Sequence, residues 1–158
     1  MMGSAHGYRL RPAAPSDADA VAALVDAAYG HYVERIGRPP GPMTDDYGEV
    51  IRTCDVTVAS DPDGAVVGVL VLAVTDEGFA VENVAVRPEH QGRGLGRALL
   101  ELAEAEARRA GFDCLYLYTH EKMSENLALY ARIGYVEYER RTEKGLTRVF
   151  MRKQLGHR

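Results

Sequence analysis

The spacing of apolar positions changes period several times along the chain, and each change marks a new element. Tyr8 to Arg11 alternates and stops at Pro12, which predicts a first strand. Val21, Leu24, Val25 and Ala28 recur at helical spacing after Pro15-Ser16-Asp17, so a helix starts there with Ser16 as its cap and fades near Gly30. The run from Gly37 to Pro42 cannot be helical. It predicts a rigid loop before a second helix capped by Thr44, with Asp45 and Asp46, and with Tyr47, Val50 and Ile51 on its apolar side. Strands follow at Val56 to Ser60 and Ala65 to Val74, joined by a turn at Asp61 to Gly64. Phe79 to Val86 is a further strand, apolar on both faces near its end, as a central strand is.

After that strand a glycine-rich turn opens a long helix that runs to Ala110 and is closed by Gly111. Leu95, Leu99, Leu102 and Ala103 form its apolar face, while Arg97, Glu101, Glu104 and Arg108 lie mostly on another. A strand at Cys114 to Thr119, a helix at Ser124 to Ile133 ended by Gly134, and a hairpin of Val136 to Thr142 and Thr147 to Lys153 complete the pattern. The order β-α-α-β-β-β-α-β-α-β-β belongs to the α/β (α+β) class. It predicts a single domain over residues 8–155, between a flexible N-terminus at 1–7 and a tail at 156–158.

Composition narrows the partners. The 158 residues are 46% hydrophobic and 27% charged with a net charge of -4, ordinary for a globular protein and without the basic surface that nucleic acid requires. No segment approaches the roughly 20 apolar residues that cross a bilayer, and the first residues lack the apolar core of a secretory signal. The expectation is a cytoplasmic protein with no membrane partner. Cys54 and Cys114 read as free, buried thiols, and the five histidines show no His-x-x-x-His pair, so no metal is expected.

The chemistry concentrates in Gln91-Gly92-Arg93-Gly94-Leu95-Gly96. Three glycines between a strand and a helix remove Cβ atoms and let successive N–H groups meet at one point, where the helix N-terminus adds positive charge. A phosphate group is the natural occupant, and Arg93 and Arg97 can add contacts to it. A P-loop needs Gly-Lys followed by Ser or Thr, which is absent. The dinucleotide fingerprint also fails, because its last glycine falls on Arg97 counted from Gly92 and on Leu99 counted from Gly94.

Val86 followed by Gln91 to Gly96 resembles the Gln/Arg-x-x-Gly-x-Gly/Ala signature of the GNAT family of N-acetyltransferases. Leu129-Tyr130-Ala131-Arg132-Ile133-Gly134-Tyr135 is similar to the family's Leu-Tyr-x-x-x-Gly-Phe/Tyr segment, and the element order agrees over nearly the whole chain. The resemblance implies a mixed central sheet of about seven strands and acetyl-CoA (coenzyme A) as co-substrate, with no metal. It implies that the strand with Val84, Ala85 and Val86 splays from its neighbour and pairs with the pantetheine arm. It also implies that the turn from Gln91 through Arg97 holds the pyrophosphate, that the Val84 N–H polarises the thioester carbonyl, and that Tyr130 gives a proton to the leaving thiolate. The family asparagine stands seven positions before the tyrosine; here that position is Met123, and Asn126 stands four before it.

The general base is assigned from the residues. Glu82 precedes Val84 by two positions, which by strand alternation puts both on one face. His120, at the end of the following strand, is the second choice. Acceptor specificity in the resembled family comes largely from the first two helices, which makes Tyr29, Tyr32 and Tyr47 candidate walls of a pocket for a small-molecule or peptide amine. The same motifs also suit a module that senses acyl-CoA without turnover, and the final strands leave a homodimer open.

Overall fold

The computed structural model describes residues 4–156. In chain order the elements are β1 (Ser4–Ala5), β2 (Tyr8–Pro12), α1 (Ala18–Tyr29), α2 (Tyr32–Ile36), α3 (Tyr47–Thr53), β3 (Asp55–Ser60), β4 (Val66–Thr75), β5 (Gly78–Val86), α4 (Leu95–Arg109), β6 (Cys114–His120), α5 (Ser124–Ile133), β7 (Val136–Glu143) and β8 (Leu146–Gln154). All strands join one mixed sheet in the order β1-β2-β3-β4-β5-β6-β8-β7. Only β5 and β6 run parallel, because α4 carries the chain across one face of the sheet between them.

Seven strands follow the expected order, and β1 is an addition. Ser4 and Ala5 pair with Arg9 and Tyr8, so part of the segment expected to be flexible forms a short hairpin around His6 and Gly7. Neither expected cap is found. α1 has no side-chain cap bond; Asp17, at its N-cap, instead closes the 3-10 turn Pro15–Asp17, its carboxylate accepting the Ala14 N–H at 2.7 Å and a bidentate pair from Arg11 at 2.8 and 2.9 Å. Asp46, not Thr44, caps α3, accepting N–H groups from Gly48 and Glu49, while Thr44 turns back to the Gly41 carbonyl. At α3 a carboxylate gains more from the helix N-terminus than a hydroxyl does.

The core has two layers, one on each side of the sheet. On one side α4 and α5 bury Leu95, Leu99, Leu100, Tyr130 and Ile133 against Val81, Val84 and Val86. Each fully buried leucine contributes about 1.5–3 kcal/mol. Gly68 lets α4 approach: a Cβ there would stand 3.0 Å from Leu95 Cδ2 and 3.2 Å from Ala59 Cβ. That close approach sets the start of α4 beside the end of β5. On the other side α1 and α3 bury Leu24, Val25, Tyr29 and Tyr47 against Val58, Val69 and Ala85. Toward β8 and β7 this side is covered by arginines, with Arg141 over Phe150 at 4.1 Å and Arg152 over Tyr138 at 4.6 Å. The outer strand β7 carries Glu137, Glu139, Arg140, Arg141 and Glu143, a charge pattern that discourages edge pairing. Among the described residues, no helix is long and apolar enough to cross a membrane. Cys54 and Cys114 are free, as expected, but half-buried rather than buried.

Candidate active site

β5 and β6 pair at only two positions, Phe79 with Leu115 and Ala80 with Tyr116, and then part. On its other edge β5 follows β4 throughout but carries a bulge: Val71 faces Asn83 and Leu72 faces Val81, leaving Glu82 without an opposite residue. The extra residue breaks the alternation. Val81 and Val84 share the α4 side, so Glu82 and Asn83 between them cannot. Asn83 instead reaches α1 and α3, accepting from Tyr29 Oη at 2.8 Å and donating to Tyr47 Oη at 3.1 Å. The expectation that Glu82 shares the face of Val84 is therefore corrected. The bulge turns Glu82 toward the opposite side, where it lines a cavity.

Backbone directions along β5 follow from one bond. Arg87 N–H donates to Val67 O at 2.9 Å, so alternation points the N–H and C=O of Ala85 at β4 as well, and those of Val84 and Val86 at the opening beside β6. Two carbonyls there are already engaged, Val84 O by Tyr29 Oη at 2.7 Å and Val86 O by Gln91 Nε2 at 3.0 Å. The N–H groups of Val84 and Val86 are what the opening presents. Ala85, expected among the cofactor contacts, is turned away, with its backbone on β4 and its side chain among Val25 and Val69.

The glycine turn continues this backbone surface. Gly92 and Gly94 have φ of 81° and 86°, left-handed values that an L side chain resists by roughly 1–2 kcal/mol. Gly94 is the N-cap of α4 and supplies no side chain to its first turn, so N–H groups there stay available. A Cβ on Gly96 would touch nothing nearer than Val86 Cγ2 at 4.0 Å. Its absence leaves room beside the helix end that packing within the protein does not require. Arg93 and Arg97 are exposed on the turn, whereas Leu95 is buried beneath it and can offer only its backbone. The His6 ring stands against Gly94, 3.3 Å from where a Cβ would be, while Gly92 and Gly96 are open. Uncapped N–H groups and a helix dipole fit a pyrophosphate there. Among the described residues, no cluster of His, Cys, Asp or Glu is grouped to hold a metal ion.

On the far side of the opening lies a cavity of about 270 Å³. Tyr130 and Asn126, one turn apart on α5, reach it, and so do Met123, Tyr29, Glu82, Val84 and His120. Tyr130 is buried, and that burial holds its hydroxyl well above the usual phenol range, so it carries its proton at neutral pH. Among the described residues no group hydrogen-bonds Tyr130 Oη. Loss of solvation raises the Glu82 carboxyl, with the charge of Asp45 adding to the effect. His120 is lowered, chiefly by burial, and its Nδ1 accepts the Lys122 N–H at 3.0 Å. Two of the expected acceptor residues are not in the cavity wall. Tyr32 packs beneath Arg35 and points its hydroxyl at Glu125, and Tyr47 spends its hydroxyl on Asn83 and the Pro42 carbonyl. Asp45, Tyr118 and Arg148 line the cavity and were not expected. Asp45 was read as part of a cap, and nothing local to Tyr118 or Arg148 signals a site; the register of β6 on β8 brings them in.

The model of the family described as "Acetyltransferase (GNAT) family" matches residues 22–135, most of the chain and all of the cavity lining but Leu146 and Arg148. The chain belongs to the GNAT acetyltransferase family. Among curated GNAT proteins it is 38% identical over 76 residues to an IAA acetyltransferase of Azospirillum brasilense, covering 47% of this chain and 50% of that one. It is 28% identical over 139 residues to a mycothiol acetyltransferase of Tsukamurella paurometabola, covering 81% and 48%. The chain thus spans about half the length of these curated relatives. Among solved structures, a nourseothricin acetyltransferase superposes with a TM-score of 0.74 at 26% identity, covering 95% of this chain and 99% of that one. The three relatives' names point to different acceptors.

Proposed function

We propose that this protein is an N-acetyltransferase that moves the acetyl group of acetyl-CoA to a primary amine of a small molecule or peptide, by direct attack within a ternary complex. The observation that carries the reading is the opening between β5 and β6. There the Val84 N–H stands between the glycine turn on one side and a cavity holding Tyr130 and Glu82 on the other. Acetyl-CoA supplies an activated acyl group on a thiol that leaves readily.

The chain supplies the rest. The backbone from Gly92 into the first turn of α4 holds the pyrophosphate, and the N–H groups of Val84 and Val86 align the arm that reaches into the opening. Val84 N–H is fixed by the sheet, so it stabilises negative charge on the acyl oxygen without reorganising. Glu82, made more basic by its surroundings, takes the proton of the incoming ammonium. Tyr130, kept protonated by burial, holds the proton for the departing sulfur. Asn126, one turn before Tyr130 in the cavity wall, orients the arm through its side-chain amide. An assay that follows thiol release from acetyl-CoA, with mass detection of the acetylated product over amines, amino acids, polyamines and peptides, tests this. Tight acetyl-CoA binding with no acceptor consumed would make the protein a sensor instead.

A further inference from the structure

The cavity has two electrical poles. Glu82, on the β5 bulge, and Asp45, in the segment before α3, form the negative one; Arg148, on β8 directly across from His120 on β6, forms the positive one. Beside Arg148 lies the Tyr118 ring, its centre 5.4 Å from the guanidinium, and Tyr118 lines the cavity with both poles. Burial raises the Tyr118 hydroxyl, Glu82 and Asp45 raise it further and Arg148 opposes them. Ile36, Pro39, Pro40, Leu117 and Leu146 form apolar wall around them.

Arg148 differs from the other arginines of this sheet face in facing the cavity. Arg141 is bound to Glu77 at 2.7 Å and to Glu139 at 2.5 Å, and Arg152 lies over the Tyr138 ring at 4.6 Å, and neither lines the cavity. Among the described residues the ion-pair partner of Arg148 is Glu143, at 3.5 Å, and the Glu143 side chain is 70% exposed. The Arg148 side chain itself is only 35% exposed. An arginine side chain that is largely covered, faces a cavity and holds its exposed carboxylate partner only at 3.5 Å is suited to receive a closer one from a ligand, two parallel N–H groups to two oxygens.

We propose that the acceptor is a free amino acid or a zwitterion of that type, with its amine toward Glu82 and Asp45 and its carboxylate on Arg148. This rests on the reading of the cavity as the acceptor side of an N-acetyltransferase. A polyamine brings a second cation to the Arg148 end, and a peptide N-terminus brings a neutral amide there. A zwitterion matches both poles.

The test compares each of the twenty L-amino acids with its C-terminal amide, and with spermidine, as acceptors for the full chain and acetyl-CoA. The expected result is at least one amino acid with a kcat/KM about 100-fold above its amide, the scale of a charge-assisted hydrogen-bonded pair. In Arg148→Gln the acid loses about 100-fold and the amide stays unchanged, while Arg148→Lys falls between. Equal use of acids and amides, preference for spermidine, or an Arg148→Gln loss shared equally by acid and amide overturns the proposal and leaves the acetyltransferase reading standing. Calorimetry on the CoA-saturated protein separates the converse failure. Preferential binding of acids over amides without turnover keeps the zwitterion site and removes the acetyltransferase reading; neither binding nor turnover removes both.

Discussion

In the proposed reaction, the chemistry on one side of the β5 opening falls to main-chain N–H groups, and on the other it falls to side chains. The donor side is a single stretch from Val84 to Arg97, in which the groups that matter are N–H bonds and missing Cβ atoms. The acceptor side gathers Tyr29 from α1, Asp45 from a loop, Glu82 from a bulge, Tyr118 and His120 from β6, Tyr130 from α5 and Arg148 from β8. A backbone site is fixed by local conformation and by the one close approach that Gly68 permits. A side-chain site depends on how distant elements meet, so a change of one residue can redirect it without disturbing the donor. On the proposed reading, that would let a backbone donor site stay fixed while the acceptor changes, in keeping with relatives whose names point to unlike acceptors.

The contrast is sharpest at Tyr130, which reaches the opening from the side-chain half. Tyr130→Phe keeps the buried ring and removes only the hydroxyl, and with it the proton. It is expected to lower kcat about 100- to 1,000-fold with little change in the KM for acetyl-CoA, the range for loss of a general acid. A full-rate Tyr130→Phe enzyme across pH 6–9 would return the residue to a packing role.

Glu82 gives the next effect. A base works only when deprotonated, so in the ternary complex kcat rises as pH rises through the Glu82 pKa. That pKa is raised by desolvation and by Asp45, so the acidic limb lies above the position of an ordinary glutamate. Glu82→Gln is expected to cost about 10- to 100-fold in kcat and to abolish that limb. If the limb survives the substitution, His120 is the titrating group, and His120→Asn is then the variant that removes it.

The two halves also differ in how far the sequence discloses them. The glycine turn, its helix and the Val84 strand are contiguous, and their periodicities lead directly to β5, α4 and the left-handed φ angles of Gly92 and Gly94. The helix at Ser124–Ile133 stands where its spacing and Gly134 put it. What period counting cannot find is the bulge at Glu82, because a Val-rich strand reads the same with or without one extra residue. The error it causes is a change of face, which moves Glu82 from the side of Val84 to the cavity side. Nor could it separate Tyr29 from Tyr32 and Tyr47. All three are buried aromatic residues on one helical layer, and only their hydroxyl partners tell them apart. Arg148 enters through the pairing of β6 with β8, a relation between segments that local pattern does not record.

Tyr29 is where the halves join, and it yields the smallest expected effect. Its hydroxyl sits 2.7 Å from Val84 O and 2.8 Å from Asn83 Oδ1, and with one proton it can fully satisfy only one of them at a time. Val84 is the donor-side strand, while Asn83 leads through Tyr47 to the Pro42 carbonyl in the loop that walls the acceptor cavity. Tyr29→Phe leaves the ring in the core and removes the link, leaving two buried acceptors short of a donor. The expected cost is about 1–2 kcal/mol of stability, a fall in Tm of about 3–6 °C. If the hydroxyl only fills space, Tm stays put. If it fixes the strand against the cavity loop, the acceptor KM rises a few-fold while the acetyl-CoA KM holds, because the glycine turn and α4 are anchored elsewhere, through Gly68 and the leucines of the opposite layer.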